Sequence, residues 1–321
     1  MKSERIKRPL MASFYEDIMS NKGPSHITDL IVLTIKSLMP SENHVEVNID
    51  YNRYGKEIKL WKYYRHGENS SLMNILGDMD PYIYWHHKDD TVYFRIMPII
   101  LTNKDYSIVK REVIKNILFT TGNIETLIEG LLLAKLLYLL ILDEKDIIEK
   151  LKEEVIGLSQ VEFIEDYKEY FRIPIKKYRG NFPVEFEQNK IYGLNNLNLS
   201  TSQKFEMLRD SIEVVLNNKA GETSIGRCIK DYIDDNAVGY FFPDDHYIEL
   251  SKYIYNLRKG RINPQALKIE EYILPDVFQF NEGEVFYHSL LNKSKVIKKE
   301  KVDDRIIVFI NSKSGLYRFT K

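Results

Sequence analysis

Cysteine is almost missing from this sequence: Cys228 stands alone among 321 residues. One thiol forms no internal disulfide and builds no Cys-based zinc site. An excess of charge of either sign is missing too, since 46 Lys and Arg face 47 Asp and Glu, a formal net charge of -1. Such a chain casts no global field, so neither nucleic acid nor an anionic membrane is expected as its main partner. No apolar run reaches the ~20 residues that span a bilayer. The nearest, Leu127 to Leu142, is interrupted by Glu129 and Lys135 and reads as a buried core helix. The opening MKSERIKRPLM is basic, but the SFYEDIMSNK that follows lacks the apolar core of a signal peptide, so a cytoplasmic location is expected. GxGxxG, the P-loop, GxSxG and HExxH are all absent.

What is present is a sizeable core. Hydrophobic residues make up 44% of the chain, which excludes wholesale disorder. The length suits two domains, or one large domain with an appendage. The dominant pattern is helical, with its punctuation in place. Ser25 precedes the apolar ITDLIVLTIKSLM, which must stop near Pro40. Asp50 caps a helix with Tyr54, Ile58, Trp61 and Tyr64 on one face, closed by Gly67. Asn123 caps the Leu-rich helix, and Asp143 the next, whose stripe is Ile147, Ile148, Leu151, Val155 and Ile156. Ser200 and Gln203 read as a capping box before Phe205, Leu208, Ile212 and Val215. Thr223 or Ser224 opens a helix carrying Ile225, Cys228, Ile229 and Tyr232, and Asp244 or Asp245 opens one that closes at Gly260.

Two stretches break the pattern. Residues 173–199 hold Pro, Gly and Asn at short intervals and read as a long loop. After Pro264, VFYHSLL, RIIVFINS and GLYRFT read as strands, with NSKSGLY turning the last two into a hairpin. The expected fold class is mainly α: a helical domain over 1–264 and a β-rich C-terminal extension over 265–321.

Several groups could carry chemistry. His86, His87, Asp89 and Asp90 have the donors for a metal or for acid–base work. Adjacent residues diverge on any regular element, so a solvated loop is the expectation. Asp234, Asp235, Asp244 and Asp245 are a second concentration, read either as a Mg²⁺ or Ca²⁺ region or as a helix end and a cap. The basic run 293–301 reads as a solvated loop, because Asp303 and Asp304 follow it at once. Cys228, on an apolar helix face, reads as inert. The 22 tyrosines are scattered and read as packing.

The order of segments in 25–140 resembles the ADP-ribosylglycohydrolase family. SHITDLIVLTIKSLM looks like the family's first core helix, which follows a Thr-Asp-Asp-Thr metal motif. DYNRYGKEIKLWKYYRHGENSSL is similar to the next helix. DDTVYFRIMPIIL resembles the Gly-Ala-x-Met-Arg-x-x-Pro-Ile-Gly segment, with Arg95 and Pro98 at its spacing. FTTGNIETLIEGLLLAKLLYLLI looks like the Thr-His-x-x-Pro segment and its long helix. The resemblance implies an orthogonal all-helical bundle and a hydrolase that removes ADP-ribose with two magnesium ions.

The departures fall on the chemistry. Thr-Asp-Asp-Thr lies on Ser25, His26, Ile27 and Thr28, and sliding the match recovers only Asp29. The early Gly-Asp-x-x-Gly has no counterpart. The late Gly-Asp-x-Asp-Thr falls near Asp235, Asn236, Ala237, Val238 and Gly239, and the Thr-His pair reads Thr120-Thr121. Loss of most carboxylates should abolish a dinuclear site. The resemblance therefore implies a catalytically degenerate protein with no cofactor, acting by binding. Its ligand is ADP-ribose or an ADP-ribosylated protein, held by His26, Thr28, Asp29, Arg95, Asp235 and Asn236, or else it binds a protein partner through 173–199 or the tail. The alternatives are an active hydrolase with a rearranged Mg site built on Asp29, Asp234 and Asp235, and an unrelated helical interaction module.

Overall fold

The computed structural model describes residues 3–158, 162–198, 204–234, 240, 242 and 245–321. It opens with a helix ahead of the first one expected at Ser25, α1 (Glu4–Asn21). Ile6, Leu10 and Phe14 recur at helical period along its buried face, and Pro9 is tolerated inside it. α2 (His26–Lys36) is capped as expected, with Ser25 Oγ accepting from the Ile27 N–H at 3.1 Å. The helix ends before Pro40, but the next residues are not a plain loop. Leu38–Pro40 (β1) pairs antiparallel with Val47–Ile49 (β2), so the helical body contains a small ladder that corrects the all-helical expectation.

α3 (Tyr51–Trp61) starts on Asp50, whose carboxylate accepts from the N–H groups of Asn52 and Arg53. It buries Tyr54, Ile58 and Trp61 and stops at Trp61, short of Gly67. Four short helices follow: α4 (Ser70–Leu76), α5 (Pro81–His86), α6 (Val92–Arg95) and α7 (Met97–Thr102). They lead into the packed pair α8 (Tyr106–Thr120) and α9 (Ile124–Leu142). The Leu-rich α9 is the buried core helix its composition implied. Asn123 Oδ1 caps it through the Thr126 N–H at 2.9 Å. Asp143 does not start the next helix; at φ 64° it ends α9 in the left-handed conformation. In α10 (Ile147–Leu158), Ile147, Leu151 and Val155 are buried, while Ile156 faces solvent.

After α11 (Phe163–Tyr167), the expected long loop is mostly a helix, α12 (Phe182–Leu197). Each residue that read as a breaker has a helical role. Asn181 is the N-cap, and Pro183 sits in the first turn, where an N–H would have no partner anyway. Gly193 lets α12 approach α9, since a Cβ there would stand 3.2 Å from Leu132 Cδ1. Phe182, Phe186 and Leu197 fill the buried face.

The body closes with α13 (Glu206–Asn217), α14 (Ser224–Ile233) and α15 (His246–Arg258). Ser200, Gln203 and Asp244 lie outside the described residues. Thr223 is the N-cap of α14, accepting from the Gly226 N–H at 3.0 Å. Arg258, buried in the last turn of α15, donates to the carbonyls of Leu101 and Asn103 at the end of α7.

The C-terminal segment forms one antiparallel sheet in the order β3 (Val285–His288), β4 (Asn292–Val302), β5 (Arg305–Ser312), β6 (Gly315–Thr320). Three strands and the last hairpin match expectation. The basic run 293–301 is not a loop but β4: Ser294 and Val296 point inward, and Lys299 Nζ donates to the carbonyls of Phe278 and Phe280 at 2.9 and 3.0 Å. A small core of Phe278, Phe286, Val296, Val308, Ile310 and Phe319 lies under the sheet and meets Leu60, Tyr63 and Tyr64 at the end of α3. The Thr320 N–H donates to the Tyr63 carbonyl at 2.7 Å, tying β6 to the chain that leaves α3. Among the described residues, no helix is long and apolar enough to cross a membrane.

Candidate functional site

The segment matched to the metal motif begins α2, and its polar groups are already bonded. Asp17, buried on α1, accepts from the N–H and hydroxyl of Ser25 at 3.0 and 2.5 Å and from those of Thr28 at 3.1 and 2.6 Å. A carboxylate at a helix N-terminus satisfies donors that have no intrahelical partner and suits the local dipole. Thr28 is therefore a buried structural residue rather than a ligand group. Asp29 lies one position on. It accepts from the Trp61 indole Nε1–H at 2.9 Å, the His66 N–H at 2.9 Å and His66 Nδ1 at 2.9 Å. The hydrogen bond that the ring donates to Asp29 raises the pKa of the His66 imidazole. His26 packs against Gly67, where a Cβ would come 2.8 Å from its Nδ1.

Arg95 was expected to meet a diphosphate, and it does not. It is completely buried, and every nitrogen of its guanidinium is used inside the fold. Nη1 donates to Asp89 Oδ2 and Thr91 Oγ1, each at 2.6 Å; Nε donates to Asn116 Oδ1 at 2.9 Å; Nη2 donates to Thr120. Burial pushes the Asp89 carboxyl up, but the Arg95 charge and the hydroxyls of Thr91 and Thr120 outweigh it and hold it below the usual range. The other half of the Thr120-Thr121 pair bonds to the carbonyls of Tyr84 and His87.

The cluster at 86–90 is correspondingly dispersed. Asp89 is fully buried, which corrects the solvated-loop expectation, and its neighbours turn elsewhere. The His86 ring lies between Tyr82 and Tyr178, each 5.0 Å away, and burial lowers its pKa. Asp90 accepts from Asn69 at 3.0 Å. Asp234 pairs with Lys230 on α14. Asp235 and Asn236 lie outside the described residues. Among the described residues, no group of three or more His, Cys, Asp or Glu is placed to hold a metal ion. The described residues do not fit a magnesium pair. Cys228 is buried, and burial pushes its thiol far up, away from the reactive thiolate.

The surface beside His66 has a different character. Residues 62–68 and the end of the C-terminal sheet enclose a cleft of about 530 Å³. Lys62, Arg65 and His66 line one side, and Arg305, Arg318 and Lys321 the other. The acidic side chain in its lining, Glu68, is paired with Arg65 at 3.0 Å. Asp29 connects the two regions, because it fixes the backbone of this basic turn to α2.

No family model, curated protein or solved structure matches this chain.

The sequence singles out Asp29 as a candidate ligand residue, but not its partners Trp61 and His66. The Trp61 and His66 bonds span 32 and 37 residues, and no local spacing announces them. The cleft went unseen for the same reason: its two walls come from the ends of the chain's separate cores, and neither wall is dense in charge by itself.

Proposed function

We propose that this chain is a catalytically degenerate relative of the ADP-ribosylglycohydrolases, built on their orthogonal helical bundle, and that it works by binding. The observation that carries this reading is the engagement of Asp29. In the match to Thr-Asp-Asp-Thr it is the carboxylate that remains, and both its oxygens are taken by Trp61 and His66. A dinuclear magnesium site needs several anionic oxygens to balance two divalent cations and activate water. One carboxylate already holding an imidazole supplies neither. Ser25 and Thr28 support the same reading, because Asp17 uses their hydroxyls to start a helix.

With Arg95 turned onto Asp89, a ligand such as ADP-ribose, or an ADP-ribosylated protein, meets this chain at the surface. Fold can outlive chemistry, and function follows the site that is present. Incubation of the full chain with an ADP-ribosylated protein and Mg²⁺ tests the reading. No release of ADP-ribose is expected, and metal-dependent release overturns it. Titration calorimetry with ADP-ribose gives a second check: heats equal in EDTA and in Mg²⁺ support a binder, whereas heats that require Mg²⁺ count against it.

A further inference from the structure

We propose that the cleft between residues 62–68 and the C-terminal sheet binds a condensed phosphate, a pyrophosphate group either free or carried by a nucleotide. This rests on the reading that the chain works by binding, and it gives that reading a site and a ligand class.

The charge balance of the cleft is the first argument. Six basic side chains line it; Glu68, the acid among them, is spent on Arg65, and the His66 ring is held by Asp29, so the unspent charge lies with Lys62 and the sheet residues. Among the described residues, Arg305 and Arg318 form no ion pair and no side-chain hydrogen bond, although both are exposed at a concave surface. Lys321 has Asp276 at 3.2 Å, an exposed pair of little strength. Converging cations in a concavity leave a field that an anion neutralises.

The geometry then selects among anions. A guanidinium presents a planar fork of donors that matches phosphate oxygens two at a time. Arg305 begins β5 and Arg318 lies within β6 opposite Phe309, so both forks stand on paired strands. Strand spacing puts their Cα atoms roughly 13–14 Å apart. Arginine side chains are long enough to converge across that gap, and two forks have between them the donors for two linked phosphates. The volume of about 530 Å³ lies in the range of small-molecule sites.

A long polyanion fits less well. The chain is nearly neutral, and Asp303 and Asp304 occupy the turn beside Arg305 without lining the cleft. They would repel a nucleic-acid backbone running past that end, while a compact anion stays inside.

Titration calorimetry of the full chain in EDTA at fixed salt tests this, with sodium pyrophosphate, orthophosphate, ADP and a single-stranded oligonucleotide as probes. Pyrophosphate is expected to bind one to one and more tightly than orthophosphate. Arg305→Gln and Arg318→Gln should each weaken it by roughly 10- to 100-fold. Lys293→Gln, an exposed change on β4 outside the cleft, should leave it unchanged. ADP binding as well as pyrophosphate identifies a nucleotide as the carried form, and ADP binding much more weakly identifies the free anion. Absence of pyrophosphate binding overturns the proposal. So does binding that neither arginine variant weakens, or oligonucleotide binding that pyrophosphate fails to displace. Circular dichroism of both variants separates loss of the site from loss of the fold. Metal-dependent release of ADP-ribose would overturn the degenerate reading and leave the pyrophosphate result standing, so the two failures are distinguishable.

Discussion

The Asp29 carboxylate holds His66 at two points, its backbone N–H and its ring Nδ1, each at 2.9 Å. One carboxylate at the start of α2 thereby sets the path of the chain leaving α3 and favours the protonated form of its imidazole. The same chain supplies Tyr63 and Tyr64 to the core under the sheet, with Tyr64 lying 5.4 Å from Phe319. Helical body and sheet therefore meet at a turn that Asp29 fixes.

Removing that carboxylate should be visible at the histidine. Asp29 raises the His66 pKa, so its contribution to stability is full below the unfolded value and fades as pH rises through the folded one. In Asp29→Asn the His66 titration, followed by its ring proton resonances, should fall back toward about 6.5. A titration that does not move would show that the pair does not govern the imidazole.

Gly67 allows the turn to close. Its φ of 146° lies where side chains are strained, and a Cβ would meet His26 Nδ1 at 2.8 Å. Gly67→Ala should cost about 1–3 kcal/mol by urea unfolding, combining strain and overpacking. An unfolding midpoint equal to that of the parent chain would refute this.

Breaking the buried Asp89–Arg95 pair should be severe. Asp89→Asn leaves an uncompensated buried guanidinium, at a cost of about 3–5 kcal/mol. Replacing both partners with apolar residues should recover much of that loss, because a buried ion pair also carries the cost of desolvating two charges. Equal destabilisation in the single and double variants would contradict the argument.

Glu129 interrupts the apolar α9 for a reason on another helix. It accepts from the Tyr93 hydroxyl at 2.6 Å and from the Leu208 N–H at 3.1 Å, capping α13, where the residue at the N-cap, Phe205, has no side-chain acceptor. Burial raises its pKa against the pull of these two hydrogen bonds, and what both donors require is an acceptor oxygen at this position. Glu129→Gln should shift stability by less than about 1 kcal/mol, while Glu129→Ala should lose about 2–4 kcal/mol through a cavity and orphaned donors. Thermal melts of the two variants that coincide would count against this role.

His288 gives the sheet an acid sensitivity. Burial, with the Lys36 charge nearby, depresses its pKa to about 4, and Nδ1 accepts from the Leu290 N–H at 3.1 Å. Between that value and the unfolded value of about 6.5, the unfolded chain binds more protons, so stability falls as pH falls through this window. Each unit of separation is worth about 1.4 kcal/mol. His288→Gln should flatten the pH dependence of unfolding between pH 6.5 and 4, and a variant with the parent slope would exclude His288 as its source.

The sequence by itself determined the helical character, the caps at Ser25, Asp50, Asn123 and Thr223, the burial of α9 and the C-terminal hairpin. These depend on bonds between residues two or three apart or on the period of apolar residues, which a linear reading contains. It misread α12, because Pro183 and Gly193 break a helix only where their positions leave a lost bond or an empty face, and here they sit at a first turn and a close packing. Tertiary structure alone decided the polar interior. Arg95 turned from an expected ligand residue into the partner of Asp89, Glu129 became a cap for a helix 79 residues onward, and Asp29 became the clasp of the basic turn. The physical reason is desolvation. A buried charge must find its partner wherever the packed chain brings one, and that partner's distance along the sequence carries no weight.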